Sequence, residues 1–194
     1  MARTKEFDPD AALRSALELF WRRGYEATSM ADLVEHLGIG RASLYATFGS
    51  KHDLYLKALE RYQEDRLPPL LRDLSRPGPA LPAVRALIRR YAAESAADDL
   101  RLRGCLVTNT AAELAPHDPA AARSVERDWD RVETGLHMAL ARAVAQDELP
   151  ADRDPLALAR TLLVLLQGLR VVGKASTDPG RVRDAAEQVL TLLE

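Results

Sequence analysis

The sequence has little of what a secreted, disulfide-bonded or membrane protein needs. Its 194 residues include a single cysteine, Cys105, which excludes an internal disulfide and fits a reducing cytoplasm. The N-terminal stretch, MARTKEFDPD, contains no apolar segment of the kind found in signal peptides. The longest apolar run, residues 162–166, is far too short to span a bilayer. We therefore expect a soluble, cytoplasmic protein with no membrane partner.

An excess of basic charge is also absent. The formal net charge is −2, and residues 1–52 contain seven basic and seven acidic side chains. Proteins that bind nucleic acid through bulk charge are strongly basic, so the composition excludes that mode of binding. Any binding to DNA must then come from a few residues placed on one face.

Catalytic and metal-binding patterns are missing as well. The four histidines are scattered without the spacing of metal ligands (His36, His52, His117 and His137). There is no glycine-rich phosphate loop and no nucleophile elbow. We therefore predict no catalytic residue, no metal site and no cofactor.

One stretch, residues 28–51 (TSMADLVEHLGIGRASLYATFGSK), predicts two short helices, a glycine-bounded turn between them, and the start of a further helix. Apolar residues of the first helix follow the i, i+3, i+4, i+7 spacing of a half-buried helix (Met30, Leu33, Val34 and Leu37). Gly38 follows directly and suits a left-handed C-cap. Ser29 with Asp32, and Ser50 with Asp53, are predicted capping boxes.

The second of these helices, near residues 41–48, has an unusual surface. Leu44 and Phe48 are predicted to point inward. The outward positions are mostly short and hydrogen-bonding, and none is acidic (Arg41, Ala42, Ser43, Tyr45, Ala46 and Thr47). A surface helix normally mixes both signs of charge, so an acid-free face suits a groove of DNA. The stretch is therefore interpreted as a helix-turn-helix.

The remainder carries helical patterns throughout and no β-strand pattern, so the predicted fold class is all-α. A helix that starts at Asp8-Pro9 completes an N-terminal three-helix DNA-binding domain, placed at residues 1–52. Residues 53–194 are predicted to form a larger helical domain for effector binding and dimerisation. The fourth helix is expected to reach only about Arg66 before the prolines of Leu67-Pro68-Pro69 kink or interrupt it.

Further helices are predicted from caps, prolines and periodicity. They are a short helix over residues 104–114, a long one over 119–145, and two that start at Asp154-Pro155 and Asp178-Pro179. The last two, about residues 155–173 and 179–193, are too apolar for the outside of a monomer. They either fill one core or form half of a dimer interface. We favour the homodimer, because symmetric dimers are the commonest oligomers and helix-turn-helix proteins usually read two half-sites.

The N-terminal third resembles the TetR family of transcriptional regulators. The matching positions form a spaced signature over about residues 10–60 (Ala16, Leu17, Glu18, Leu19, Phe20, Gly24, Tyr25, Thr28, Ser29, Met30, Asp32, Leu33, Gly38, Arg41, Ser43, Leu44, Tyr45, Phe48, Gly49, Ser50 and Lys51). Gly104, Cys105, Leu106 and Asn109 resemble a subgroup of repressors that respond to reactive electrophiles. The resemblance implies an all-α homodimer whose C-terminal helices build a ligand pocket and whose last two helices form an intersubunit four-helix bundle.

The resemblance also implies contacts with a double-stranded DNA operator. Residues expected at a phosphate or the groove wall are Thr28 or Ser29, Tyr45, Thr47 and Lys51. Residues expected at base edges are Arg41 and Ser43, with Ala42 against a thymine methyl.

Two interpretations of Cys105 stay open. It follows Arg101, Arg103 and Gly104 at a predicted helix N-terminus, a setting that can stabilise a thiolate. One hypothesis is therefore that Cys105 is a sensor of electrophiles or oxidants. The other is a small buried residue that lines the pocket, which is commoner for a free cysteine. Polar and aromatic residues on apolar helix faces complete the predicted pocket (Tyr91, Asn109, Trp129, Glu133, His137, Met138 and Gln167).

We therefore expect a ligand-responsive DNA-binding regulator, a repressor that a small-molecule effector releases from its operator. The effector would favour a distance between the two DNA-binding domains of the dimer that no longer matches the spacing of successive major grooves, roughly 34 Å. The alternatives are a protein with the same fold that acts through protein contacts, and an all-helical enzyme without a visible catalytic cluster.

Overall fold

A computed structural model describes residues 7–97 and 103–194, and every regular element within these ranges is an α-helix. The helices of the described residues are α1 (Pro9–Arg23), α2 (Met30–Leu37), α3 (Arg41–Phe48), α4 (Lys51–Leu74), α5 (Leu81–Ala96), α6 (Leu106–Glu113), α7 (Pro119–Ala145), α8 (Pro155–Ala175) and α9 (Gly180–Thr191). The predicted all-α class is confirmed for this part of the chain.

Side-chain caps determine where most of these helices begin. Asp8 caps α1 by accepting from the backbone N–H of Asp10, and Pro9 occupies the first turn. Both predicted capping boxes are present, at the starts of α2 and α4. Asp118 and Asp154 cap α7 and α8, each accepting from two backbone N–H groups. These starts are confirmed, because an N-cap carboxylate satisfies donors that the helix itself leaves free.

Three predicted helix boundaries, one end and two starts, differ from the structure. Helix α4 continues through Pro68 and Pro69 to Leu74, beyond the end predicted near Arg66. A proline inside a helix costs about 3 kcal/mol, and here burial of Leu70 and the neighbouring leucines of the last turns offsets that cost.

The other two differences concern helix starts. Helix α6 begins at Leu106, after Gly104, which has a positive φ of 66° that a helix does not allow. Helix α9 begins at Gly180, whose backbone N–H donates to the Asp178 carboxylate at 2.9 Å. The Asp178 side chain therefore stabilises the turn at Pro179, and the first helical residue comes after this proline.

Two hydrophobic clusters form the interior. The first combines α1 to α3 with the N-terminal half of α4, helix α6 and the start of α7, and its members include Phe20, Leu33, Leu44, Tyr55, Leu106, Val107 and Val125. The second joins the C-terminal half of α4 to α5, α7, α8 and α9. Helix α4 and helix α7 contribute to both clusters. The DNA-binding helices therefore share a core with α6, and the division at residues 52 and 53 stays a prediction.

Helix α8 has the length and apolar composition of a membrane-spanning helix. A core helix of a protein outside membranes meets the same criterion. Here α8 packs against α7 and α5, and it buries Leu162, Leu166 and Leu169. Its apolar composition is therefore explained in part by the core of the domain.

Candidate nucleic-acid interface and effector cavity

The turn between α2 and α3 is fixed by a glycine and by buried side chains on each side. Gly38 takes the left-handed conformation (φ 65°, ψ 23°), and its N–H donates to the Val34 carbonyl at 3.0 Å. Leu33 of α2 and Leu44 of α3 are almost completely buried, and Ile39 fills the turn between them. The two helices are thus held at a fixed angle, as a helix-turn-helix requires.

Helix α3 presents the predicted DNA contacts on one face. Arg41, Ala42 and Tyr45 are exposed, whereas Ser43 and Thr47 are half-buried at the edge of this face. The Arg41 guanidinium carbon lies 5.6 Å from the centre of the Tyr45 ring, and Nη2 donates to the Tyr45 hydroxyl at 3.4 Å. The structure therefore brings these five residues together, and it holds the one cation of the face against an aromatic ring.

The N-terminus of α3 differs from those of its neighbours. Helices α2 and α4 begin with capping boxes, and each carries an aspartate in its first turn. The N-cap of α3 is Gly40, so α3 has no side-chain cap, and its first turn contains no acid. The N–H of Ser43 donates to the Gly40 carbonyl at 3.0 Å, whereas the N–H groups of Arg41 and Ala42 precede this bond and are suited to an anion such as a DNA phosphate.

The other predicted phosphate ligands divide into exposed and buried groups. Thr28 is fully buried, and its hydroxyl donates to the Gly24 carbonyl at 2.7 Å. Its side chain is therefore withdrawn from the surface in this conformation. Ser29, the N-cap of α2, is exposed. Its hydroxyl donates to the Asp32 carboxylate, so a contact of Ser29 with a phosphate stays a prediction.

Lys51 is half-buried and already has partners inside the protein. Its Nζ donates to the carbonyl oxygens of Tyr25 and Thr28, each at 3.0 Å, and lies 3.9 Å from the centre of the Tyr25 ring. A lysine ammonium has three N–H donors, so one donor is left for a phosphate. Lys51 thus joins the start of α4 to the turn between α1 and α2.

A cavity of about 500 Å³ lies among α1, α4, α5, α8 and the segment before α6. Its described lining is aromatic, aliphatic and charged (Leu17, Glu18, Trp21, Tyr62, Asp65, Arg66, Pro69, Leu70, Arg90, Tyr91, Glu94, Gly104 and Arg170). Ligand sites of proteins have this size and this mixture of apolar walls with a few polar groups.

Two arginines dominate the electrostatics of this cavity. Arg66 donates from Nη1 to the Tyr91 hydroxyl and from Nη2 to buried Asp128, both at 2.7 Å. Arg170 is 8% exposed, donates from Nη2 to Glu94, and lies 4.3 Å from the centre of the Tyr91 ring. The Nε atoms of both arginines are buried without a hydrogen-bond partner among the described residues.

Cys105 lies behind the cavity wall and does not itself line the cavity. It is 3% exposed, it is the N-cap residue of α6, and its Sγ accepts from the Tyr62 hydroxyl at 3.6 Å. Burial alone would raise the pKa of the Cys105 thiol, but the Arg66 guanidinium and hydrogen bonds from Thr108 and Tyr62 hold that pKa below its ordinary value. Cys105 is thus both a buried residue and an acidified thiol.

The eight residues predicted to form the pocket do not converge on one site. Tyr91 lines the cavity, Cys105 lies behind it, and Met138 is 66% exposed on a different groove between α4 and α7. Three others form hydrogen bonds outside the cavity: Asn109 with Arg103 and Lys174, Glu133 with Arg160, and Gln167 with Thr108. Trp129 Nε1 is buried and has no partner among the described residues, and His137 is half-buried on α7. Their common role in an effector site stays a prediction. Arg101 of the cysteine argument lies outside the described residues.

The residues that sequence reasoning missed are Arg66, Arg170 and Asp128. A signal existed for Arg170, because it is an arginine inside a helix that is otherwise apolar on nearly all sides. An ionisable residue on such a helix needs a partner, and that need marks a polar site. Asp128 lies in the mostly polar α7, where nothing in the sequence distinguishes it from exposed carboxylates.

Comparison with known proteins agrees with this architecture. Residues 12–58 match the family described as bacterial regulatory proteins, tetR family, and residues 80–190 match the tetracyclin repressor-like C-terminal domain. The uncharacterized HTH-type transcriptional regulator YezE of Bacillus subtilis (strain 168) is 38% identical over 195 residues, which cover 100% of both chains. The HTH-type transcriptional repressor ComR of Escherichia coli (strain K12) is 30% identical, over 98% of this chain and 90% of its own.

A solved structure gives the same result in three dimensions. The TetR family transcriptional regulator CifR, with three cysteines substituted and complexed with 26-bp double-strand operator DNA, superposes with a TM-score of 0.83 at 31% identity. The match covers 98% of both chains. Both halves of the chain thus have relatives with one architecture and one type of activity. The chain belongs to the TetR family of helix-turn-helix DNA-binding transcriptional regulators.

Proposed function

We propose that this protein is a repressor that binds an operator through α3 as a homodimer and leaves it when a small molecule occupies the cavity beside Arg66 and Arg170. The observation that carries the proposal is the surface of α3, which is free of acids and has an uncapped N-terminus. ComR is named a repressor, and CifR is bound to operator DNA, which supports the same role here. Binding to the chromosome would place the protein in the cytoplasm.

The neutral charge of the DNA-binding domain determines how such a protein binds. A single copy offers few cations to the phosphates, so its affinity for one half-site is low. Two copies on one operator double the contacts, and the second half-site binds at a high effective concentration. Tight binding therefore depends on the dimer and on the distance between its two α3 helices.

The dimer is best supported by the outer face of α8. Small and apolar residues recur there at helical spacing (Ala157, Thr161, Val164, Gly168, Val171 and Ala175). Val164 is 71% and Val171 is 54% exposed, and a Cβ built on Gly168 meets no atom within 4 Å. Such a stripe on a single chain suits a second helix packed at close range.

The last helix has a different surface. Residues 179–193 were predicted to share the dimer interface, but the exposed side chains of α9 are charged or polar (Arg181, Arg183, Asp184, Glu187 and Gln188). Its buried residues, Val182, Ala186 and Leu190, face the core of the chain itself. The proposed interface is therefore centred on α8 (predicted residues 155–173), and the share of residues 179–193 in it stays a prediction.

The cavity is a suitable effector site because its walls belong to the elements that position α3. Helix α4 lines the cavity with Tyr62 and Arg66, and its first residue, Lys51, holds the turn before α2. Helix α6, which starts beside the cavity, shares the hydrophobic cluster of the DNA-binding helices. An occupant that displaces either helix changes the position of α3 relative to its copy. Addition of the Cys105 thiolate to an electrophile that reaches it from the cavity is a second mode of response, favoured by the lowered pKa of this buried thiol.

The experiment is a fluorescence-anisotropy titration of the full chain with the DNA upstream of its own gene. We expect saturable binding by a dimer, loss of binding as salt is raised, and weaker binding to a shuffled sequence of the same composition. Equal affinity for both DNAs, or none for either, would contradict an operator-binding repressor. In that case the alternatives of protein contacts or an undetected enzymatic activity would stand.

A further inference from the structure

The two arginines of the cavity have donors that the protein does not use. An arginine carries five N–H donors, and side-on binding of a carboxylate uses Nε together with one Nη. In Arg66 and in Arg170 a protein carboxylate contacts Nη2, whereas Nε is buried and has no partner among the described residues. A buried donor left unpaired is unfavourable, so each guanidinium is suited to bind a further anion.

The acids around the cavity differ in how firmly they are held. Glu18 and Asp65 are paired outside the cavity, with Arg103 at 2.6 Å and with Arg61 at 3.3 Å. Asp128 is buried on Arg66. Glu94 is different, because it lies between two arginines of the lining: one of its oxygens binds Arg170, and the other lies 3.9 Å from Arg90 Nε.

Glu94 therefore has two alternative partners. It can leave Arg170 and turn toward Arg90, whose Nε is already near and whose Nη1 binds Asp73 at 2.8 Å. Arg170 has no such freedom, because it is buried and stacked on the Tyr91 ring. Loss of Glu94 leaves a buried cation that needs another anion at the same place.

The walls around that place are apolar. Trp21, Tyr62 and Tyr91 supply aromatic surface, and Leu17, Pro69 and Leu70 supply aliphatic surface. A bare inorganic anion would leave these walls in contact with water, whereas an organic anion buries them.

We propose that the cavity takes a small organic carboxylate, which replaces Glu94 on Arg170 and packs its apolar body between Trp21 and Tyr91. This inference rests on the proposed function, since it names the chemical class of the effector of the same site. Glu94 occupies the site when the ligand is absent, and it moves to Arg90 when the ligand binds. Free carboxylate and Glu94 thus compete for one guanidinium.

Competition gives two variants with opposite expected effects. Glu94→Gln removes the competing charge, so carboxylates should bind roughly tenfold more tightly, the equivalent of one charge-assisted hydrogen bond. Arg170→Gln should abolish this binding, and Arg170→Lys, which keeps the charge but loses the side-on fork, should weaken it. Asp65→Asn is the matched control, because it also removes one acid from the cavity lining but leaves Arg170 and its partner unchanged.

The experiment measures binding to the full chain by isothermal titration calorimetry. The probes are monocarboxylates of increasing size, from propionate to benzoate and phenylacetate, each paired with its neutral amide. We expect at least one acid to bind more tightly than its amide, Glu94→Gln to strengthen it, and Asp65→Asn to leave it unchanged. If no acid exceeds its amide in the wild-type chain or in Glu94→Gln, the carboxylate proposal is overturned. It is equally overturned if Asp65→Asn strengthens binding as much as Glu94→Gln, because the effect would then be one of net charge.

The same samples separate this inference from the proposed function. An anisotropy titration with operator DNA is repeated with each bound acid, and release of the DNA by a carboxylate supports both proposals. Release of DNA by an amide or another neutral molecule, with no carboxylate bound, leaves the repressor standing and removes the carboxylate as its effector. Absence of operator binding in every sample removes the repressor itself, while calorimetry still reports whether the cavity binds the acid.

Discussion

The carboxylate of Glu113 accepts a hydrogen bond from the backbone N–H of Tyr25 at 3.1 Å and a second from Glu26 at 2.9 Å. Glu113 ends α6, the helix that Cys105 begins beside the effector cavity. At 1.5 Å per residue, these eight residues bridge about 12 Å. Helix α6 therefore connects the cavity to the turn that precedes the helix-turn-helix.

Replacement of Glu113 tests this connection. Glu113→Ala leaves two backbone N–H groups without their acceptor, so the free energy of unfolding should fall by about 1–3 kcal/mol, measured by urea denaturation. The loosened turn should also weaken operator binding in an anisotropy titration. Glu113→Gln keeps one acceptor oxygen and should lie between the wild type and the alanine variant. Glu187→Ala, an exposed position on α9, is the control and should change neither quantity.

Arg41→Ala should affect sequence recognition more than stability. Arg41 is exposed, and its guanidinium interacts with Tyr45 of its own helix, so its loss should leave the melting temperature nearly unchanged. If Arg41 reads a guanine, the variant should lose about 1–3 kcal/mol at one operator position and tolerate other bases there. Binding to a library of single-base operator variants measures this. An unchanged preference at every position would show that Arg41 does not contact a base.

Lys51→Ala should weaken binding to all DNA sequences alike. A lost phosphate contact lowers the slope of log affinity against log salt by about 1 without changing base preference. The variant also loses the bonds to the carbonyls of Tyr25 and Thr28, so a reduced melting temperature should accompany the weaker binding. Lys51→Met keeps much of the apolar stem and removes only the ammonium. If Lys51→Met binds with the wild-type salt dependence, Lys51 has a structural role alone.

The internal hydrogen bonds of Lys51 illustrate which features can be predicted from this sequence and which cannot. The helix-turn-helix and its caps were predictable from local patterns. Ser29 caps α2 together with Asp32, three residues away, and Gly38 forms its left-handed turn with residues of the same helix. Long-range pairs were not predictable. Lys51 with Thr28, Glu113 with Tyr25, and Arg66 with Asp128 join positions that only the tertiary fold brings together.

The predicted end of α4 near Arg66 was wrong for the same reason. Proline chemistry is local and argues for a helix end, whereas the burial of Leu70 and Leu74 depends on α5 and α7. The cavity was not predicted for the same reason, because Arg170 is far in sequence from its partners Glu94 and Tyr91. The DNA-binding surface lies on one short helix and was therefore the more predictable part of the site.

Alkylation of Cys105 should proceed at a lower pH than that of an ordinary thiol. A lowered pKa means that the thiolate, the reactive form, is already populated below pH of about 8.5, the value typical of free cysteine. The rate of reaction of Cys105 with iodoacetamide should therefore rise with pH and reach its plateau at a lower pH than the rate of a free cysteine does. Arg66→Met removes the cation that counteracts the effect of burial on the thiol pKa. The pKa of Cys105 should therefore rise, and the curve of rate against pH should move to higher pH. Mass spectrometry of the labelled peptide across a pH series measures both curves. A wild-type midpoint at or above that of free cysteine would contradict the lowered pKa.

Val164→Arg should separate the proposed dimer. Val164 lies at the centre of the outward stripe of α8, and a twofold interface places each residue near its own copy. One substitution therefore introduces two like charges, which repel each other and cannot be solvated within a packed interface. Analytical ultracentrifugation should show a monomer, and operator affinity should fall because each monomer holds a single half-site. The control is Gln188→Arg, which adds the same residue to the exposed face of α9. If Gln188→Arg dissociates the protein and Val164→Arg does not, the interface lies on the last helix instead, because only there would the added charge be buried.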